Sequence, residues 1–154
     1  MDSRRIAVFS DIHSNLEALK AVLSDMDEMD VQDKFCLGDI VGYGPDPAKC
    51  LDLVRDIGCP ILLGNHDEGC FALEPDSSFN TYALAGLELA RRQLSDDQKD
   101  FMKTLPMKIE VDGLYRCARI ALYREGLVLC SRYWRRDKSF PFSNPVSLLL
   151  RPYS

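Results

Sequence analysis

Three short apolar runs each break off into a polar loop, and helical repeats separate them. Arg5-Ile6-Ala7-Val8-Phe9 is β-rich and suits a strand buried in a parallel sheet. Lys34–Leu37 and Pro60–Leu63 repeat the pattern. After the first loop, Leu16, Leu19, Val22, Leu23 and Met26 recur at helical spacing, and Ser14 and Glu17 have the spacing of a capping box. After the second loop, Asp46 is placed to cap a helix that begins at Pro47, a residue suited to the first helical position. Cys50, Leu51, Val54 and Ile57 give that helix an apolar face, and Gly58 ends it. The order strand-loop-helix-strand-loop-helix-strand-loop is that of an α/β fold with parallel strands. Farther on, Asn80 is expected to cap a helix to Leu94, and Ser95 with Gln98 a helix ending near Leu105. Met107–Val111 reads as a strand and Asp112-Gly113 as a hairpin turn.

The chain of 154 residues is 46% hydrophobic and 28% charged, which fits one domain with a buried core. No run is long or apolar enough to span a membrane. The apolar stretch after Arg4 and Arg5 stops at Phe9, too short for the core of an export signal, so a cytoplasmic protein is expected. None of the six cysteines forms a CxxC pair, which argues against a zinc ribbon and for reduced, mostly buried thiols.

The loops at the three strand exits hold the chemistry. The first is Asp11-Ile12-His13, the second Gly38-Asp39 and the third Gly64-Asn65-His66-Asp67. Ligands of open α/β sheets bind just beyond the carboxyl ends of the strands, so this order gathers carboxylates, imidazoles and an amide at one sheet edge. Singly, the first two loops are compatible with an ordinary helix entry or turn, whereas the third has no obvious structural need for its histidine. Jointly, their donors suit Mn²⁺, Fe or Zn²⁺. A carboxylate between two other loops, as Asp39 is, would bridge metals ~3.5–4 Å apart and so act on a phosphoryl group. His66, if not a ligand, would protonate a departing oxygen.

In order and spacing these three loops resemble the N-terminal motifs of the calcineurin-like metallophosphoesterases. The longer string Gly38-Asp39-Ile40-Val41-Gly42-Tyr43-Gly44-Pro45-Asp46-Pro47 resembles the bacterial branch of small phosphodiesterases and phosphatases. The resemblance implies the N-terminal half of an α/β sandwich, a mostly parallel sheet with flanking helices. It implies two divalent transition metals (Mn, Fe, Zn or Ni) and a small phosphate ester as substrate, cleaved by a metal-activated water. On the matching positions, Asp11 and His13 would ligate the first metal and Asp39 both. Asn65 would ligate the second and contact substrate. His66 would bind substrate as the general acid, oriented by Asp67.

The resemblance covers residues 4 to about 113. The family's later ligands, a histidine in a V-H-G-S-P-like strand exit and a G-H-x-H, have no counterpart, because His13 and His66 are the chain's two histidines. Charge changes at the same place. Residues 1–113 hold 11 basic and 22 acidic side chains, residues 114–154 hold 8 and 2. The chain therefore divides into a partial phosphoesterase core, 1–113, and an atypical basic tail, 114–154, expected to pack poorly. A basic tail suggests an acidic partner, but the acidic balance of 1–113 argues against nucleic acid as the main ligand. The expectation is an impaired phosphoesterase. The competing reading is an inactive, phosphoesterase-like binding module that uses the basic tail near Arg132–Lys138.

Read from the second base of each codon, Cys117–Leu122 becomes GYG-CNC-GNA-THG-CNC, which permits Val-His-Gly-Ser-Pro. The tail thus reads as frameshifted from about residue 114. Sequencing the source DNA checks this: a one-base shift should open a frame with V-H-G-S-P and a later G-H-x-H, and a frame without them overturns the idea.

Overall fold

A computed structural model describes residues 5–73, 77, 79–111, 120–123, 126–130 and 149–150. In chain order the elements are β1 (Ile6–Phe9), α1 (Leu16–Glu28), β2 (Asp33–Cys36), α2 (Pro47–Ile57), α3 (Asn65–Gly69), α4 (Thr81–Gln93), α5 (Asp96–Lys103), β3 (Lys108–Val111), β4 (Ile120–Tyr123), β5 (Gly126–Cys130) and β6 (Leu149–Leu150). The architecture is mixed α/β, with a small parallel sheet and flanking helices. β1 and β2 run parallel from Ile6↔Asp33 to Phe9↔Cys36. β6 adds antiparallel to the other side of β1, and β3, β5 and β4 form a separate antiparallel sheet.

The expected third strand over Pro60–Leu63 is reduced to one parallel bridge, Cys36↔Ile61. Cys36 N–H donates to Pro60 O and Leu62 N–H to Cys36 O, but the next amide, of Leu63, turns away and donates to Pro106 O at 2.9 Å. Its exit is also not a plain loop, because Asn65–Gly69 coils into the short helix α3.

Helix starts follow local chemistry, with one correction. α1 is capped by Asn15, whose side chain accepts the Ala18 N–H at 3.0 Å, and not by Ser14. Ser14 is unsuited because its backbone already serves the loops: its N–H donates to Ile40 O and its carbonyl accepts the Asp46 N–H. Asp46 occupies the cap position of α2 but makes no side-chain cap bond and pairs with Lys49 at 2.8 Å instead. Gly58 closes α2 in the left-handed conformation. Asn80 caps α4, and Ser95 with Gln98 forms the expected capping box of α5. The Asp112-Gly113 turn lies outside the described residues.

The core fills the side of the sheet under the helices. Ala7 and Phe9 alternate onto that face, where they join Leu19, Met26, Leu51, Val54, Leu87 and Met102. A smaller cluster of Phe35 and Leu62, with Ile6, Val8 and Ile109 against it, covers the opposite face. Cys36, Cys50, Cys59 and Cys70 are free thiols, and burial pushes Cys50 and Cys70 up to about 12, as expected of inert core cysteines. Among the described residues, no helix is long and apolar enough to cross a membrane.

Helix α4 docks backbone-to-backbone on the loop after β2. A Cβ on Gly86 would lie 2.1 Å from Tyr43 N and 2.6 Å from its Cα. Gly86→Ala must therefore push α4 off the Gly42–Tyr43 segment, despite alanine's better helix propensity. The expected loss is about 1–3 kcal/mol, read by urea denaturation.

Candidate metal centre

The register of β1 against β2 ends both strands level, and the chain continues past them as a second ladder. Asp11 N–H donates to Gly38 O (3.2 Å), His13 N–H to Asp39 O (3.0 Å) and Ser14 N–H to Ile40 O (2.8 Å). The ladder bends sharply, because Asp11, His13, Ser14 and Asp39 all have positive φ, between 49° and 58°. Such φ values are uncommon outside glycine and gather where surrounding bonds over-determine the backbone.

This bend turns Asp11, His13 and Asp39 inward together. One ligand atom from each lies within 4.8 Å of the others. His13 Nε2 is 3.9 Å from Asp11 Oδ1. His13 Nδ1 lies 3.3 Å from Val41 O. A carbonyl only accepts, so this nitrogen is the donor, and Nε2 is the ring nitrogen that faces the carboxylates. That is the arrangement that prepares a histidine to bind a metal. Two carboxylates and one such imidazole are a donor set for a divalent transition metal, so the residues present fit the group.

The third loop lies against the second. A Cβ on Gly64 would be 2.1 Å from Asp39 N and 2.3 Å from its Oδ1, so no other residue fits there without a shift. Asn65, expected as a ligand, opens α3 with its side chain exposed. His66 follows, only 7% exposed, with its N–H on Asp39 Oδ1 at 3.0 Å. Its ring is enclosed by those of His13 (4.6 Å between centroids), Tyr43 (4.9 Å) and Phe79 (4.8 Å). His66 Nδ1 has no hydrogen-bond partner among the described residues.

Asp67 accepts four backbone N–H groups on its carboxylate, from Asp39, Gly64, Ile40 and Val41. Burial, then the nearby Asp39, pushes its carboxyl up, while these N–H donors pull it down. Tyr43 and Phe79 were not marked by sequence reasoning. Tyr43 carried a weak signal, a bulky residue between two glycines in the second loop, whereas Phe79 reaches His66 from a distant stretch.

The calcineurin-like phosphoesterase profile matches residues 4–150. The chain belongs to this family. An uncharacterized protein of Methanocaldococcus jannaschii is 45% identical over 105 residues, which are 68% of this chain and 43% of that protein. The crystal structure of a metallophosphoesterase from Sphaerobacter thermophilus aligns with a TM-score of 0.59 at 38% identity, covering 72% of this chain and 45% of that one. A symmetrical bis(5'-nucleosyl)-tetraphosphatase of Pectobacterium carotovorum is 42% identical over 60 residues, 37% of this chain and 21% of that protein. The chain thus spans less than half the length of each of these relatives.

Burial, then the His13 ring, lowers the His66 pKa from 6.5 to about 4, with Asp11 opposing. In metal-free protein the unfolded chain then takes up this proton first, so His66 lowers stability as pH falls from about 6.5 to about 4. The full effect is on the order of 3 kcal/mol. Asp67, shifted upward, acts in the opposite sense over the acidic range, so the His66 part is read from a difference. The gap in unfolding free energy between wild type and His66→Gln should narrow or invert on acidification. A gap constant across that range would refute the shift.

Proposed function

We propose that this chain carries the N-terminal metal-binding part of a phosphoesterase acting on small phosphate mono- or diesters. The observation that supports this most is the convergence of Asp11, His13 and Asp39 within 4.8 Å, with the far nitrogen of His13 on Val41 O. Bound there, divalent metals supply Lewis-acid polarisation of a phosphoryl oxygen and an acidified water.

The chain's own groups then have distinct tasks. Asp11 and His13 would hold the first metal, Asp39 would bridge to the second, and Asn65 would ligate that one and contact the ester. His66 sits beside Asp39 without being needed as a ligand, and would protonate the leaving oxygen. Its ring is neutral at pH 7 in the metal-free protein, so it would gain this proton only when a phosphate's negative charge raises its pKa. Tyr43, Phe79 and His13 around the ring limit its contact with water. The name of the tetraphosphatase relative adds oligophosphate esters to the candidate substrates. Manganese is the metal we favour for a first test.

The chain holds two histidines in all, so the imidazoles that complete such sites in the family would have to come from the frame shifted after about residue 114. That observation favours a second reading, an inactive phosphoesterase-like module with a basic tail. The expected result is weak Mn²⁺ binding by calorimetry, lost in Asp39→Ala, with little or no hydrolysis of bis-p-nitrophenyl phosphate. Absence of Mn²⁺ binding would favour the module. Brisk Mn²⁺-dependent turnover, abolished in Asp39→Ala, would overturn the impairment.

A further inference from the structure

We infer that Asp67 is the positioning residue of the metal centre, a clasp that fixes the Asp39 carboxylate through the backbone of its loop. The inference rests on the metal-site reading above.

Asp67 is fully buried, and its two oxygens divide their partners evenly. Oδ2 accepts Asp39 N–H at 2.9 Å and Gly64 N–H at 3.0 Å, and Oδ1 accepts Ile40 N–H at 2.9 Å and Val41 N–H at 3.1 Å. Three consecutive amides of the second loop therefore converge on one carboxylate of the third. A return bond closes the pair, since His66 N–H donates to Asp39 Oδ1 at 3.0 Å. Each aspartate accepts from the other's loop.

The clasp is needed because the second loop is not held by its own preferences. Asp39 has φ 54°, a conformation that an aspartate adopts at some cost, and Gly38 before it has φ 89°. Gly38 and Gly64 are packed so closely that a Cβ on Gly38 would lie 2.3 Å from Gly64 N. With no side chain at either glycine to set the spacing, the four N–H bonds set it. The same bonds also fix His13, because Val41, whose N–H is held by Asp67, presents its carbonyl to His13 Nδ1. One carboxylate, through the backbone N–H groups it accepts, thus positions both the Asp39 loop and the Val41 carbonyl that faces His13.

Asparagine at this position keeps the shape but turns one oxygen into an NH₂ group that faces N–H donors. Asp67→Asn should weaken Mn²⁺ binding by at least roughly 10-fold by calorimetry, as losses of outer-shell partners do. Met26→Ala serves as the control, since Met26 is fully buried in the core and is not one of the groups named at the site, and it should change the affinity by less than about threefold despite destabilising the fold. Amide hydrogen exchange gives a readout independent of metal. In Asp67→Asn the amides of Asp39, Ile40, Val41 and Gly64 should exchange faster than the amides of α1 and α2, whereas Met26→Ala should not single them out. Wild-type Mn²⁺ affinity in Asp67→Asn overturns the inference, as does an equal loss in Met26→Ala. If wild type binds no Mn²⁺, the proposed function falls. The clasp is then decided by exchange, and unchanged protection of the four amides overturns it.

Discussion

The convergence of Asp11, His13 and Asp39 depends on a backbone ladder that outlives its strands. β1 and β2 stop at Phe9 and Cys36, yet hydrogen bonds between the two chains continue through Asp11, His13 and Ser14 on one side and Gly38, Asp39 and Ile40 on the other. A parallel pair alone would alternate its side chains above and below the sheet. Left-handed residues at Asp11, His13 and Asp39 break that alternation, and this lets three side chains from two strands meet at one point. The strain in these residues has a matching source of order in the interstrand bonds. Loops free of such bonds would relax toward ordinary backbone and lose the convergence.

Electrostatics explains why such an arrangement calls for a cation. Asp11, Asp39 and Asp67 stand close together, and Asp67 has no access to water. Four N–H dipoles offset part of the charge on Asp67. His66 offers little relief, because its burial keeps the ring neutral at physiological pH. A divalent cation would be one complement to the Asp11 and Asp39 carboxylates. The carboxylates differ in surroundings: Asp67 accepts backbone N–H groups from two loops, and Asp11 and Asp39 lie with His13 in the candidate metal site.

Much of this was legible in the sequence because it rests on local chemistry. Apolar runs gave β1 and β2, Pro47 and Gly58 bounded α2, and Ser95 with Gln98 started α5. Asp11, His13 and Asp39 were also legible, since strand exits in an α/β order must share an edge. The failures are all tertiary. Ser14 has the right spacing for a capping box, but its backbone is engaged by the second loop, so Asn15 takes the cap. Pro60–Leu63 has the composition of a strand, but the Leu63 amide finds Pro106 and leaves the ladder after one bridge. The four backbone donors of Asp67 come from two loops and could not be assigned from spacing alone. Phe79 lies outside every motif and could not be assigned to His66 from spacing alone.

The bonds that hold the ligands are also self-contained. Each one named for Asp11, His13, Asp39, His66 and Asp67 lies between residues 11 and 67, and α4 reinforces the second loop through Gly86. The geometry of this ligand set is therefore built by the same stretch that resembles the family motif by motif. Catalysis makes a larger demand than binding, because a second metal, its ligands and a proton donor must all be fixed to within a fraction of an ångström. Of the chain's two histidines, His13 lies in the candidate metal site and His66 packs against its ring. Holding a metal and turning over an ester are thus separable demands, and the candidate ligand set of Asp11, His13 and Asp39 is built within residues 11–67.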